Sequence, residues 1–380
     1  MPDVTRRTWM KSGGASMLCS LGALTFGSNT TVAREGPFNA SESTPVPIRA
    51  RLSLNENPFG SSARVVEAIR ASLGDLCRYT ERDAEELTAQ IATQEGVTPE
   101  HVVLGEILPS LGVRFSVAGG PGGEFIYSTP GFTDLVSAAE QTGGVTVAVP
   151  LNERLENDLG AIAARTNSRT RAVYLVNPHN PSGTVADSGA LKSFVADLAR
   201  RTTVIVDEAY LEFTDSFAER TLTPLVKAGH SVIVFRTFAK AYGLAALQFG
   251  YAVGPPQIAN DLRQQGIGAA HGLNRLAVVA AAAALRDTQF IQETRLRTAI
   301  ERARWNSALD ELGLRHSDSH GNFVFFEAGR PHEEIAAAFL AAGVQIGRSF
   351  PPLDRWCRIS IGLPAENTLA ITVLRQLLHR

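Results

Sequence analysis

Short runs of β-branched and other apolar residues alternate along most of the chain with stretches whose apolar positions recur at helical spacing. Residues 125–127, 145–149, 173–176, 204–206 and 232–235 read as strands. Between the third and fourth, Leu191, Phe194, Val195 and Leu198 fall on one helix face. Runs that are apolar at successive positions belong to strands buried on both faces, and with helices between them they predict βαβ units around a mostly parallel sheet. Further on, the alanine-rich residues 276–285 and residues 300–314 read as helices. Residues 323–326 and 358–361 read as strands of a smaller C-terminal lobe, closed by a helix over 368–378. Residues 34–48 are mostly polar and carry Pro37, Pro45 and Pro47, which predicts an extended arm.

Composition adds limits. A chain of 380 residues exceeds a usual domain of about 100 to 200 residues, so a large and a small domain are expected. With 44% hydrophobic residues, 19% charged and a net charge of −2, the chain has an ordinary globular balance and no basic excess for a polyanion, and nucleic acid is not expected as a partner. Thr5-Arg6-Arg7-Thr8-Trp9-Met10-Lys11 resembles a twin-arginine export signature, followed by an uncharged stretch over 12–33 that ends in small residues suited to cleavage. Glycines and polar residues interrupt that stretch too often for a span of about 20 strongly apolar residues, so no stable membrane anchor is expected. The resulting division is a signal peptide over 1–33, an arm over 34–75, a large domain over 76–285 and a small one over 286–380, with a periplasmic location. Past the signal only Cys77 and Cys357 remain, too few for a disulfide framework, and a single bridge stays open.

Three consecutive strands run directly into polar residues. Val176 leads into Asn177-Pro178-His179-Asn180-Pro181-Ser182-Gly183, Val206 into Asp207, and Phe235 into Arg236-Thr237-Phe238-Ala239-Lys240. Ligands of open α/β sheets bind outside the carboxyl ends of the strands, so these residues are expected to converge.

These segments resemble the aminotransferases of pyridoxal-phosphate (PLP) fold type I, and most the histidinol-phosphate aminotransferase branch. The likeness includes Asn55-Glu56-Asn57-Pro58-Phe59-Gly60, Arg78-Tyr79, Val206-Asp207-Glu208-Ala209-Tyr210, Thr237-Phe238-Ala239-Lys240-Ala241-Tyr242-Gly243-Leu244 and Arg358-Ile359-Ser360-Ile361-Gly362, all in family order. It implies an α/β fold with a large PLP-binding domain, a homodimer, and transfer of an amino group between an amino acid or amine and a 2-oxo acid or related carbonyl. Lys240 resembles the lysine that forms a Schiff base with the cofactor and then moves the substrate's α-proton. Asp207 resembles the partner of the pyridine nitrogen, and Tyr210 and Asn180 the partners of the phenolic oxygen. Phe132 resembles the aromatic stacked on the ring, although an aromatic after a strand also serves a core. Arg358 resembles the clamp on the substrate's α-carboxylate, and Asn55 is placed with the substrate by the same likeness. Arg348 reads equally as a contact to the substrate's distal group or as a surface ion pair.

The pattern breaks at the cofactor phosphate. The Gly- and Ser-rich turn of the family is shortened to Gly105-Glu106-Ile107-Leu108-Pro109, its serine before the lysine is Ala239, and its arginine eight residues later is Gln248. Thr237 remains, and Tyr79 would reach across from a second subunit. Two readings stay open: looser holding of the phosphate by Gln248 and the remaining donors, or accommodation of an unphosphorylated vitamer beside Glu106. The rivals to a transaminase are a PLP-dependent lyase or racemase and a catalytically weak protein that binds a B6 vitamer or an amino acid. Histidine biosynthesis itself is not expected of an exported enzyme, which would not meet a cytosolic intermediate.

Overall fold

The strands in chain order are β1 (Ala50–Leu52), β2 (Val102–Leu104), β3 (Glu124–Thr129), β4 (Val145–Pro150), β5 (Thr170–Val176), β6 (Thr203–Asp207), β7 (Val232–Thr237), β8 (Gly250–Val253), β9 (Phe323–Glu327), β10 (Val344–Ile346) and β11 (Trp356–Ser360). They belong to a computed structural model that describes residues 46–378. Seven of them form the central sheet, ordered β2-β8-β7-β6-β5-β3-β4. The pairs from β7 through β4 are parallel, and β8 runs antiparallel to both its neighbours.

Successive side chains of β5, β6 and β7 enter two different cores, which is why those strands are apolar throughout. Val173, Leu175, Val204, Val206, Val232 and Val234 pack on one face with Leu191, Val195 and Leu198 of the helix Ser188–Leu198 and with the alanines of Arg275–Leu285. Ala172, Tyr174, Val176, Ile205, Ile233 and Phe235 pack on the other, under Leu108–Ala118, Asp134–Gln141 and Pro256–Gln264. Each fully buried aliphatic side chain contributes about 1.5 to 3 kcal/mol of transfer free energy. The same alternation aims the last residues of β6 and β7, Asp207 and Thr237, to the second face at the carboxyl edge.

A separate core gathers Trp305, Val324, Phe326, Phe339, Ile359 and Leu374 around β9 to β11. In it β1 pairs in parallel with β10, Ala50 facing Val344, and β11 pairs antiparallel with β9. A segment from early in the chain thereby joins a late one, and the residues after β1 emerge beside the carboxyl edge of the large sheet. The helix expected over 300–314 instead spans Thr288–Glu311, because Asp287 caps it by accepting from the Phe290 amide at 3.3 Å. Cys77 is exposed and Cys357 buried, and both are free thiols. No described helix is long and apolar enough to cross a membrane.

Candidate active site

The carboxyl ends of β5, β6 and β7 open into a cleft of about 1190 Å³. Among the sequence-selected residues, Asn55, Phe132, Asn180, Asp207, Tyr210, Thr237, Lys240, Gln248, Arg348 and Arg358 all line it. Tyr79 does not; its ring is 71% exposed, and its carbonyl accepts a hydrogen bond from Arg275.

Lys240 lies on the turn that follows β7. Gly243 makes this turn possible: it holds φ +72°, and a Cβ there would stand 2.1 Å from the carbonyl oxygen of Gly60. Asn57 donates to the carbonyl of Ala241 at 2.8 Å, so the lysine turn is tied to the 55–60 segment. The Lys240 ammonium donates to the Leu54 carbonyl at 3.1 Å and sits 5.8 Å from the Tyr210 ring centroid.

Asp207 is buried. Its carboxylate accepts from the Tyr174 hydroxyl at 2.8 Å and from the Ala209 amide at 3.0 Å. Burial pushes its carboxyl up to about 6, against the opposing pull of those two hydrogen bonds. A buried carboxylate with neutral partners is a poor final state for folding and a good receptor for a cationic ring nitrogen.

Tyr210 is held by two amides: its oxygen accepts from Asn55 at 3.1 Å and from Asn180 at 3.4 Å. With those lone pairs engaged, its hydroxyl proton is available to an acceptor in the cleft. Asn55 adopts φ +56°, held by reciprocal bonds to Ser360 and by Asn322 donating to its carbonyl. Arg358 donates to Asn180 at 2.6 Å and to the Ser53 carbonyl at 2.8 Å. It is buried, its Nε is unpartnered, and among the described residues no carboxylate pairs with it. Burial pulls its pKa down. An uncompensated guanidinium in a cleft wall favours an anionic ligand group. Arg348 is more exposed and lies 4.5 Å over the Phe350 ring, and among the described residues it has no salt-bridge partner within 4.0 Å.

The opposite end is different. Thr237 donates to the Glu106 carboxylate at 3.2 Å, and the Ala239 amide donates to the Thr237 hydroxyl at 3.1 Å. Partial desolvation raises the Glu106 carboxyl; Thr237 and Lys240 oppose this and Asp134 adds to it. Gln248 stands beside them in the left-handed region, at φ +47°. Sequence reasoning passed over Tyr174, the carbonyls of Ser53 and Leu54, and Asp134, the first residue of the helix Asp134–Gln141.

The cleft gathers a lysine, a buried aspartate and a buried arginine that pairs with no described carboxylate. The model of the family described as aminotransferase class I and II matches residues 48–374. The chain belongs to that family. A histidinol-phosphate aminotransferase from Limosilactobacillus fermentum is 37% identical over 332 residues, covering 86% of this chain and 90% of the relative. An aromatic amino acid aminotransferase from Thermobifida fusca is 36% identical, with coverage of 86% and 89%. The crystal structure of a histidinol-phosphate aminotransferase from Sinorhizobium meliloti in complex with pyridoxal-5'-phosphate superposes with a TM-score of 0.79 at 30% identity, covering 87% of this chain and 92% of that one. This class I and II aminotransferase therefore has PLP fold type I and uses PLP as its cofactor. Asp207, Lys240, Tyr210 and Asn180 suit the ring and its aldehyde, whereas the Glu106 end offers hydroxyl and amide groups together with a carboxylate.

The same relatives correct one expectation. The periplasmic location rested on Arg6, Arg7 and the stretch behind them, which lie outside the described residues. Relatives matching 86% of the chain are named histidinol-phosphate aminotransferases, and a periplasmic location is not retained. The argument against a biosynthetic role that depended on export falls with it.

Proposed function

We propose that this aminotransferase acts on an amino acid or amine as donor and a 2-oxo acid or related carbonyl as acceptor, with Lys240 as the proton-transfer group and Arg358 as the carboxylate receptor. The observation that carries the reading is the single cleft in which Lys240, Asp207 and an unpaired, buried Arg358 converge. The bound cofactor supplies an electron sink for the pair released at the substrate's α-carbon. Arg358, fixed by Asn180 and the Ser53 carbonyl, presents its remaining donors to a substrate carboxylate and so fixes which α-bond faces Lys240. With the cofactor held in the cleft, Lys240 would act as the proton-transfer group, its neutral amine taking the α-proton at Nζ and its charged form giving a proton back. Asp207 would hold the cofactor's ring nitrogen in its protonated form, and Tyr210, itself held by Asn55 and Asn180, would donate to the phenolic oxygen. Phe132 would cover a face of the ring, and Arg348 would meet the distal end of the substrate.

The names of the relatives support imidazole-bearing and aromatic amino acids as the first substrates to test. Two separate cores support a large domain ending near residue 285 and a small one from 286. Exposed Leu73, Leu76 and Tyr79, clustered in sequence, support a homodimer in which Tyr79 serves the partner's cleft. The test is a two-substrate assay with histidinol phosphate or phenylalanine as donor and 2-oxoglutarate as acceptor. Stoichiometric glutamate and the matching carbonyl product support the reading. Ammonia release or loss of optical activity without glutamate would replace it with lyase or racemase chemistry.

A further inference from the structure

Glu106 stands where the structure gives the cofactor's phosphate least support. On a pyridoxal ring the phosphate-bearing arm and the phenolic oxygen flank the aldehyde on opposite sides. In this cleft, the groups suited to the phenolic oxygen, Asn180 and Tyr210, follow β5 and β6. The sheet order places β7, β8 and β2 on the other side of β6, and it is from there that Thr237, Ala239, Gln248 and Glu106 enter the same cleft. On that side the helix Leu108–Ala118 begins two residues after Glu106, with Ile107 at its N-cap, no side-chain cap, and Pro109, which has no amide proton, in its first turn. A helix start favours an anion, Leu108 and Pro109 line the same cleft, and the carboxylate at this end is that of Glu106, which accepts from Thr237 at 3.2 Å. Asp134 adds a second carboxyl to the cleft wall, while Lys240 is the charged counterweight acting on Glu106. Gln248 contributes a neutral amide.

We propose that Glu106 is a selectivity residue for the cofactor: it competes with the phosphate for Thr237 and the helix start, so that this site binds PLP with only a narrow advantage over pyridoxal. The proposal rests on the reading of the cleft given above. A phosphate dianion entering beside Thr237 must displace or neutralise the carboxylate, since two like charges in a partly desolvated space repel. Pyridoxal carries a hydroxymethyl group in that place and meets no such repulsion.

The test is equilibrium titration of the apo-protein with PLP and with pyridoxal, read by absorbance and by borohydride fixation of the vitamer to Lys240 in a mass spectrum. In Glu106→Gln the affinity for PLP should rise about tenfold, equivalent to about 1.4 kcal/mol, while that for pyridoxal stays within about twofold of wild type. Gln248→Arg should favour PLP independently by placing a cation at the same end. A Glu106→Gln protein whose PLP affinity is unchanged, or whose affinities for both vitamers rise together, overturns the proposal but leaves the reading of the cleft intact. If neither vitamer can be fixed to Lys240 in the wild type, the reading of the cleft fails first and the proposal with it.

Discussion

Replacing Asp207 by asparagine separates what the carboxylate does for the cofactor from what it does to the fold. Burial lifts its carboxyl from an ordinary 3.8 to about 6. The folded apo-protein therefore keeps this proton over a range in which the unfolded chain has lost it. Stability linked to the group is complete below about pH 4 and is lost as pH rises through 6. At about 1.4 kcal/mol per pH unit, the fall amounts to about 3 kcal/mol. Asparagine has no charge to bury, so its stability curve lacks that fall. It offers one acceptor to two donors, Tyr174 and the Ala209 amide, which lowers the whole curve by about 1 to 3 kcal/mol without tilting it. Urea unfolding of the two apo-proteins from pH 4.5 to 8 should show asparagine gaining on aspartate as pH rises to about 6 and holding level above it. Parallel curves would refute the argument. With the cofactor present the order reverses: a lost charge-assisted hydrogen bond of about 1.5 to 3 kcal/mol weakens cofactor binding about 10- to 100-fold.

Other substitutions probe the remaining parts of the site. Lys240→Ala should abolish turnover and leave no vitamer fixed by borohydride, checked by stopped assay and intact mass; retention of full activity would remove Lys240 from the mechanism. Arg358→Lys keeps a charge but not the planar pair of donors, so KM for an amino-acid donor should rise about 10- to 100-fold, with a smaller effect on an amine lacking a carboxylate. Gly243→Ala places a methyl group against the Gly60 carbonyl at a left-handed position; we expect a loss of about 2 kcal/mol or more and a lower melting temperature in the apo-protein, with activity falling because the Lys240 turn shifts.

The long parallel strands were legible because β5, β6 and β7 are buried on both faces and so carry unbroken apolar runs. β1 and β10 were not. Each has three residues with an exposed centre, and what holds them is each other, Ala50 against Val344, a pairing that no local window contains. β8 is only one residue longer, and its antiparallel place between β7 and β2 is a matter of topology. In the cleft, the polar residues just past a strand end could be picked out, since such residues have no place in the strand's core. Tyr174 could not: within β5 it reads as one more core side chain, and only the fold brings its hydroxyl to Asp207. Leu54 and Ser53 act through carbonyls, which leave no trace in residue identity.

The pairing of β1 with β10 also sets an order on the biosynthesis of the enzyme itself. Asn55 takes its shape from Ser360, 305 residues later, and Arg358 reaches back the same distance to Ser53. A ribosome that has completed the seven-stranded sheet has made Lys240 and Asp207 but neither Arg358 nor Ser360, the partner that fixes Asn55. The wall of the cleft that Ser53, Asn55 and Arg358 share is therefore complete only after translation has passed Ser360.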